Sequence, residues 1–237
     1  MGTTVAGWTT LAEDPLVLLR EYSFGPGTAN GLAIELPGRK LLLVSTPRDL
    51  SDADYAALRE RGEVVAMVAN NGAHYLGLSA AARAFPNAAT YATERAGARI
   101  AKRTQAGRLL DLAELTPLLG DKVSVAAADG CKIGDLIVRV KTERGVLLYV
   151  GDFIANIPVL PSNFMFRLLF KLTNSGPGLK VFRIFFLFFT SDKRAARDFL
   201  IREIEAAPPA ILVPGHGAIV ERPQLGATLV SMLRAAI

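Results

Sequence analysis

The sequence predicts an α/β fold in which β-sheets are covered by helices. Along the 237 residues, strand-rich stretches are each followed by helical patterns, which is typical of layered α/β proteins. Apolar residues make up 51% of the chain and charged residues 21%, so the chain can bury a substantial core and is not disordered. We find no internal repeat and no linker, and we therefore predict a single domain over residues 1–237.

The first half of the chain is predicted to begin with a β-hairpin, because apolar runs flank the turn-forming Pro37-Gly38. A Ser or Asp cap begins the first helix, and Pro86 ends the second. The predicted elements are strands at 32–36 and 40–44, a helix at 51–61, a strand at 64–68, a helix at 79–85, a strand at 89–92 and a helix at 95–104.

The second half begins with three β-type runs, VSVAA, DLIVRV and VLLYV, which are separated by Gly-containing turns. A helix is predicted over 191–206, capped by Ser191 or Asp192. Pro208-Pro209 ends this helix, and a short strand at 210–213 leads into the sequence PGHG.

The composition excludes several functional classes. A net charge of +5 is modest, and there is no aromatic-basic strand or recognition helix, so nucleic acid is not an expected partner. A single cysteine, Cys131, excludes an internal disulfide, and the first residues lack the basic and apolar regions of a signal peptide. No apolar run reaches the roughly 18 residues of a membrane-spanning helix. We therefore expect a cytoplasmic protein.

The chain has only two histidines, His74 and His216, which excludes a complete two-metal site built mainly from imidazoles. Both follow predicted strands in Gly-containing turns, and Asp152 in YVGDF has the same setting. Two imidazoles and a carboxylate could form a metal site with open positions, and they suit Zn²⁺ or non-haem Fe²⁺. The alternative also stays open: His216 could bond a backbone carbonyl, and Asp152 could cap a loop.

In their order, these motifs resemble the metallo-β-lactamase fold superfamily. The matches are a strand and turn at 69–74, a Gly-Cys turn at 130–131, GD at 151–152 and PGHG at 214–217. The resemblance spans most of the chain. It implies a four-layer αββα sandwich, metallo-β-lactamase-like, with a metal site at one edge between the two sheets. It also implies a hydrolase-type activity.

The sequence departs from this resemblance at most of the first motif. The superfamily pattern is His-any-His-any-Asp-His, and the corresponding residues here are Ala69, Asn71, Ala73 and His74. A later histidine is replaced by Cys131, whereas the bridging aspartate and the last histidine are kept as Asp152 and His216. The resemblance therefore implies a degenerate site for one zinc or iron ion, bound more weakly than by four ligands, or for no metal.

The predicted catalytic residues are Asp152, His74 and His216. The same three are the predicted metal ligands, with Cys131 as a fourth if its thiol ionises; otherwise Cys131 is a small buried residue in a Gly turn. Three further residues, Asn71, Tyr75 and Asn156, are predicted to contact the substrate. For Asn71 the alternative is a turn residue or a hydrogen-bonding group.

A Phe-rich insert at about 160–190 holds eight of the twelve phenylalanines, between Phe164 and Phe189. Side chains spaced i, i+4, such as Arg167 and Lys171, predict two short helices around the Gly-Pro turn at 174–178. Three interpretations stay open: a core-packing layer, a cap over the site that admits an apolar substrate, or a surface for a membrane or a second copy.

Two functions from different classes remain. The first is a hydrolase-like protein with a single-metal site that acts on a small, partly apolar substrate. The second is a catalytically inactive relic of the fold that serves as a binding or membrane-surface interaction module. For either function, residues 164–189 are the candidate contact with a peripheral membrane surface or with the second subunit of a homodimer.

Overall fold

An eight-stranded sheet, sheet 1, forms the first half of the chain in the computed structural model, which describes residues 3–24 and 27–237. Its strands lie side by side in sequence order: β1 (Thr4–Val5), β2 (Trp8–Glu13), β3 (Leu16–Ser23), β4 (Thr28–Leu36), β5 (Lys40–Val44), β6 (Glu63–Val68), β7 (Ala89–Ala92) and β8 (Arg108–Asp111). Neighbours from β1 to β5 pair antiparallel, and those from β5 to β8 pair parallel.

The second half contributes a five-stranded sheet, sheet 2, and a two-stranded ribbon. The strands of both are β9 (Val123–Ala127), β10 (Leu136–Thr142), β11 (Gly145–Tyr149), β12 (Ile154–Ile157), β13 (Gly178–Val181), β14 (Ile211–Val213) and β15 (Val220–Glu221). Sheet 2 has the order β15-β14-β11-β10-β9, and β12 pairs antiparallel with β13. Because β11 and β14 pair parallel, their carboxyl ends lie at the same edge of sheet 2.

Four of the eight helices in the described residues begin at a side-chain cap that the sequence offers. Ser51 and Asp54 form a capping box at the first helix, and Asp192 caps the seventh. The helices are α1 (Asp52–Arg61), α2 (Leu78–Ala84), α3 (Glu94–Ile100), α4 (Thr116–Leu119), α5 (Phe164–Leu172), α6 (Arg183–Phe189), α7 (Lys193–Ala206) and α8 (Leu225–Ala236), with a 3₁₀ turn at Leu112–Leu115. Within the described ranges, no helix combines the length and apolarity needed to cross a membrane.

Alternating side chains divide the core into three apolar layers. In β5, Leu42 and Val44 pack between the two sheets, whereas Leu41 and Leu43 pack with residues of α1, α2 and α3. In β10 of sheet 2, Ile137 points away from sheet 1 and packs with residues of α6, α7 and α8. The order of layers is therefore helices, sheet 1, sheet 2, helices, which confirms the four-layer αββα sandwich.

The predicted elements from the hairpin to Ala92 are all present, with bounds shifted by at most a few residues. Seven strands of the described residues were not predicted: β1, β2, β3, β8, β12, β13 and β15. They carry polar residues among the apolar ones, and β8 has only four residues, so their pattern is weak. The helix predicted at 95–104 is shorter, because α3 ends at Ile100 and a turn follows.

The Phe-rich insert contains both predicted helices, α5 and α6, on either side of the Gly-Pro turn, and also a strand that was not predicted. The strand β13 lies between them, because residues 178–181 find a partner in β12. Phe185 and Phe186 of α6 are buried and pack against Phe153, so this part of the insert belongs to the core. The outer side of α5 is exposed.

Two phenylalanines of α6 provide a matched pair for testing this packing. Phe186 is 1% exposed and Phe188 is 51% exposed. We expect Phe186→Ala to lower the free energy of unfolding by about 3–5 kcal/mol, because it leaves a cavity in the core. Phe188→Ala should change it by less than about 0.5 kcal/mol. Denaturant unfolding of both variants measures this difference, and equal effects would contradict the described packing.

Candidate metal centre

Three loops at the edge of the sandwich bring His74, Asp152 and His216 together. His74 follows β6 of sheet 1, and Asp152 and His216 follow β11 and β14, the parallel neighbours of sheet 2. Their side chains form a group that could hold a metal ion, with one ligand atom from each residue and all three atoms within 4.8 Å of one another.

The distances in this group suit a small metal ion. The Nε2 atoms of His74 and His216 lie 3.2 Å and 3.1 Å from the same oxygen, Oδ1 of Asp152. Ligand atoms of a tetrahedral zinc ion, each about 2.0–2.1 Å from the metal, are separated by about 3.3 Å. His74 and Asp152 are buried, and His216 is partly exposed.

The ring of His216 is oriented by the backbone. Its Nδ1 donates to the carbonyl oxygen of Thr28 at 2.8 Å, so a neutral ring directs the lone pair of Nε2 at Asp152. Two acceptors 3.1 Å apart require a cation between them, which is either a proton on His216 or a metal ion. Burial alone would lower the pKa of His216, but the Asp152 carboxylate outweighs burial and raises that pKa.

The ring of His74 is oriented by two hydroxyl groups. Its Nδ1 lies 2.8 Å from Oγ of Ser45 and 3.3 Å from the hydroxyl of Tyr22, and these two hydroxyls lie 3.1 Å apart. Burial, only partly offset by the hydrogen bond to Ser45, raises the pKa of Tyr22 to about 12. Both groups are therefore neutral hydroxyls, and such partners fix the orientation of ligating histidines.

The second oxygen of Asp152 is held by Asn71. The amide Nδ2 of Asn71 donates to Oδ2 of Asp152 at 2.9 Å, while its Oδ1 accepts from the Ala73 amide at 2.8 Å. Burial favours the neutral acid, but the charges of His74 and His216 outweigh it and hold the pKa of Asp152 well below its usual range. The carboxylate is therefore ionised, with Oδ1 directed at the two imidazoles.

A second buried carboxylate, Asp135, supports the loop behind Asp152. It accepts the backbone N–H groups of Asp152 at 3.2 Å and of Leu136 at 2.9 Å. Burial, reinforced by the charge of Asp152, raises the pKa of Asp135 well above its usual range. Gly151 is required here, because it has a φ of +54° and a Cβ would lie 2.5 Å from Asp135 Oδ1.

The structure places Cys131 outside the group formed by the three other predicted ligands. It is buried, its sulfur accepts from the Asp135 amide at 3.3 Å, and it lies 3.6 Å from the carbonyl oxygen of Phe189. Burial raises the pKa of the Cys131 thiol to about 11, so the group is a neutral thiol. These contacts agree with the alternative interpretation, a small buried residue in a Gly turn.

The three predicted substrate contacts have structural partners instead. Asn71 orients Asp152, as described above. Tyr75 accepts a hydrogen bond from Arg103, and Asn156 donates its side-chain amide to the Ala218 carbonyl beside His216. A substrate contact by these three residues stays a prediction.

An apolar cavity of about 530 Å³ begins at the candidate metal centre. Asp152 and His216 line its polar end, and its walls are mostly apolar and include Phe24, Ile157, Phe166, Leu169, Phe170, Phe182, Ile184, Phe185 and Phe189. Most of these side chains come from the Phe-rich insert. The volume lies within the roughly 300–1,000 Å³ that is usual for small-molecule sites.

Sequence reasoning missed four partners of the centre: Tyr22, Thr28, Ser45 and Asp135. A signal existed for Ser45, which is a polar residue directly after the apolar strand β5. Tyr22 and Thr28 lie on β3 and at the start of β4, far from the histidines in sequence. Thr28 acts through its backbone carbonyl, which no side-chain pattern reveals.

Comparisons with known proteins give fold neighbours only. No family model matches the chain, and no curated protein matches it. The metallo-β-lactamase FIM-1 from Pseudomonas aeruginosa, in its mono-zinc form, is 17% identical with a TM-score of 0.61, over 99% of this chain and 97% of that chain. A metallo-β-lactamase from Pontibacter korlensis is 12% identical with a TM-score of 0.60, over 96% and 98%. One from Erythrobacter litoralis is 15% identical with a TM-score of 0.59, over 98% and 95%.

Proposed function

We propose, on the premise that this chain has the metallo-β-lactamase fold, that it is a hydrolase-like protein with a single-metal site. His74, Asp152 and His216 would hold one zinc or iron ion, and the substrate would be small and partly apolar. One observation carries the proposal: Nε2 of His216 is directed at Asp152 Oδ1 in an arrangement that requires a cation.

The hydrogen bond from Asn71 supports one metal ion rather than two. In this fold the retained aspartate would bridge two ions, but here Oδ2 of Asp152 accepts from the Asn71 amide. Ala69 and Ala73, which stand where the superfamily has a histidine and an aspartate, offer no side-chain ligand. We infer that the first metal position is lost and that the second is kept without its own aspartate.

Different residues of the chain would orient the metal ligands and bind the substrate. A bound zinc or iron ion would polarise a substrate carbonyl and acidify a water molecule. The Thr28 carbonyl orients His216, and Ser45 and Tyr22 orient His74, so the ligands need little rearrangement. The apolar cavity would hold the apolar part of the substrate beside the centre and exclude water from it.

An ester or thioester with an apolar acyl chain fits this combination of site and cavity. With p-nitrophenyl esters, we expect kcat/KM to rise by about fourfold for each methylene from acetyl to hexanoyl, as expected for burial of about 0.8 kcal/mol per methylene. Leu169→Phe, which narrows the cavity, should remove this preference. Leu187→Phe, on the exposed side of α6, should keep it. A rate independent of chain length would contradict the proposed substrate class.

The second candidate function is an inactive binding module, and one observation favours it. A proton on His216 would satisfy the centre without any metal, because the imidazolium and the Asp152 carboxylate then form an ion pair. Such a protein would bind a fluorescent fatty acid in its cavity, contain no metal and hydrolyse none of the esters. The cytoplasmic location and the single domain over residues 1–237 stay predictions for both candidates.

A further inference from the structure

Exposed apolar side chains are concentrated on the Phe-rich insert. Of the eleven large apolar residues that are exposed in the described part of the chain, eight lie between Val159 and Phe188. We call this set the apolar face: Val159, Phe164, Met165, Phe166, Leu168, Leu172, Leu187 and Phe188. Exposed apolar residues concentrated in one segment in this way indicate an interaction site, whereas single exposed apolar residues do not.

The helix α5 has its apolar stripe on the outside. Phe164, Leu168 and Leu172 are spaced i, i+4, i+8 and are 72%, 39% and 76% exposed. Phe170, on the opposite side, packs into the protein. A helix on the surface of a globular protein normally turns its polar residues to solvent. This outward stripe therefore calls for a partner with an apolar layer.

The charged side chains of the segment that carries the apolar face are all basic. Residues 153–191 contain no Asp or Glu but four Lys or Arg residues. Arg167 and Lys171 are exposed on α5 itself, and neither forms an ion pair within the described ranges. Beside α5 and α6, a cleft of about 770 Å³ is lined by Arg183, Lys193 and Arg194. The partner must therefore supply negative charge next to its apolar layer.

We propose that the apolar face docks on an anionic membrane surface. In this arrangement α5 lies in the plane of the interface, its apolar stripe enters the boundary between headgroups and acyl chains, and the cations face lipid phosphates. A symmetric second copy fits less well, since it would place Arg167 and Lys171 against the same cations with no acidic residue on the segment to pair with them.

Docking would also bring the apolar cavity to the bilayer. Val159 and Phe166, which are 78% and 46% exposed, belong both to the apolar face and to the lining of the cavity. The bilayer would therefore lie beside the rim of the cavity. The proposed docking does not depend on hydrolysis or on a bound metal ion.

Vesicle co-sedimentation of the 237-residue chain tests the docking. The probes are vesicles of phosphatidylcholine alone and vesicles that also contain about 30% phosphatidylglycerol, an anionic lipid. We expect partitioning onto the anionic vesicles only, weaker as the salt concentration rises. Arg167→Gln with Lys171→Gln should weaken it by roughly 25-fold, or about fivefold per charge.

The apolar contribution is tested with a matched pair of variants. Phe164→Ser with Leu168→Ser should weaken partitioning by at least about 20-fold, because both side chains would enter the interface. Val5→Ser with Leu76→Ser, at exposed apolar residues elsewhere, should leave it unchanged. Circular dichroism checks that each variant is folded, as their exposure leads us to expect.

Three outcomes would overturn the proposal. The first is wild-type protein that does not bind anionic vesicles. The second is binding that both double variants on α5 leave unchanged. The third is a lipid-free dimer in sedimentation equilibrium that Phe164→Ser with Leu168→Ser dissociates, because the apolar face would then be covered by a second copy.

Discussion

Asp152→Asn is expected to lower the affinity for zinc or iron by more than about 100-fold, because loss of a ligand should exceed the 10–100-fold effect of losing a partner of a ligand. The substitution keeps the size of the side chain but removes the charge to which both imidazoles are directed. Because the variant binds less metal, its rate of ester hydrolysis should decrease in proportion to its metal occupancy. Titration with zinc followed by calorimetry measures the affinity, and initial rates on p-nitrophenyl hexanoate measure the activity.

The matched control for this prediction is Asp129→Asn, at a carboxylate that is 65% exposed and paired with a surface arginine. This variant should bind metal and turn over substrate as the wild type does. If Asp152→Asn retained wild-type metal affinity while folded, the assignment of Asp152 as a ligand would be wrong.

Gly217→Ala is expected to destabilise the protein by about 3 kcal/mol and to displace His216. Gly217 has a φ of +88°, and a Cβ there would overlap the backbone carbonyl of Asn156. In the same stretch of chain, the backbone N–H of Asn156 donates a hydrogen bond to the carbonyl oxygen of His216 at 3.1 Å. The overlap with the alanine Cβ therefore cannot be relieved without moving the histidine. Thermal unfolding and zinc affinity together measure the effect.

Gly38→Ala separates backbone strain from this clash. Gly38 has a similar φ of +79°, but a Cβ there would meet no atom within 4 Å. Only the left-handed conformation then opposes alanine, at about 1–2 kcal/mol, and metal affinity should not change. If both variants lost the same amount of stability and kept wild-type zinc affinity, the close contact described between Gly217 and Asn156 would be wrong.

Much of the fold could be predicted because its signals are local. The turn at Pro37-Gly38, the cap at Ser51 and the break at Pro86 each act within a few residues, and they place β4, β5, α1 and α2. The strand β13 could not be predicted, because its four residues become a strand only through their partner β12. The fold class depended on the order of motifs, not on any single one.

The three candidate ligands could be predicted from the sequence, whereas the residues that orient them could not. His74, Asp152 and His216 each follow a strand in a Gly-containing turn, which is a sequence signal. Their partners Tyr22, Thr28 and Ser45 are 29–188 residues away in sequence from the histidines that they orient. Tyr22 and Ser45 reach His74 through the assembly of sheet 1, and Thr28 reaches His216 through the packing of the two sheets. The apolar cavity likewise forms only when the Phe-rich insert folds over the sheet edge.

The native metal content of the purified protein tests the central claim most directly. The protein should be expressed without a metal-binding tag and analysed by inductively coupled plasma mass spectrometry. We expect about one equivalent of zinc or iron per chain in the wild type, and none in His74→Ala with His216→Ala, since a single protein ligand does not retain the ion. Wild-type protein that is metal-free and cannot be reconstituted with zinc or iron would contradict the account.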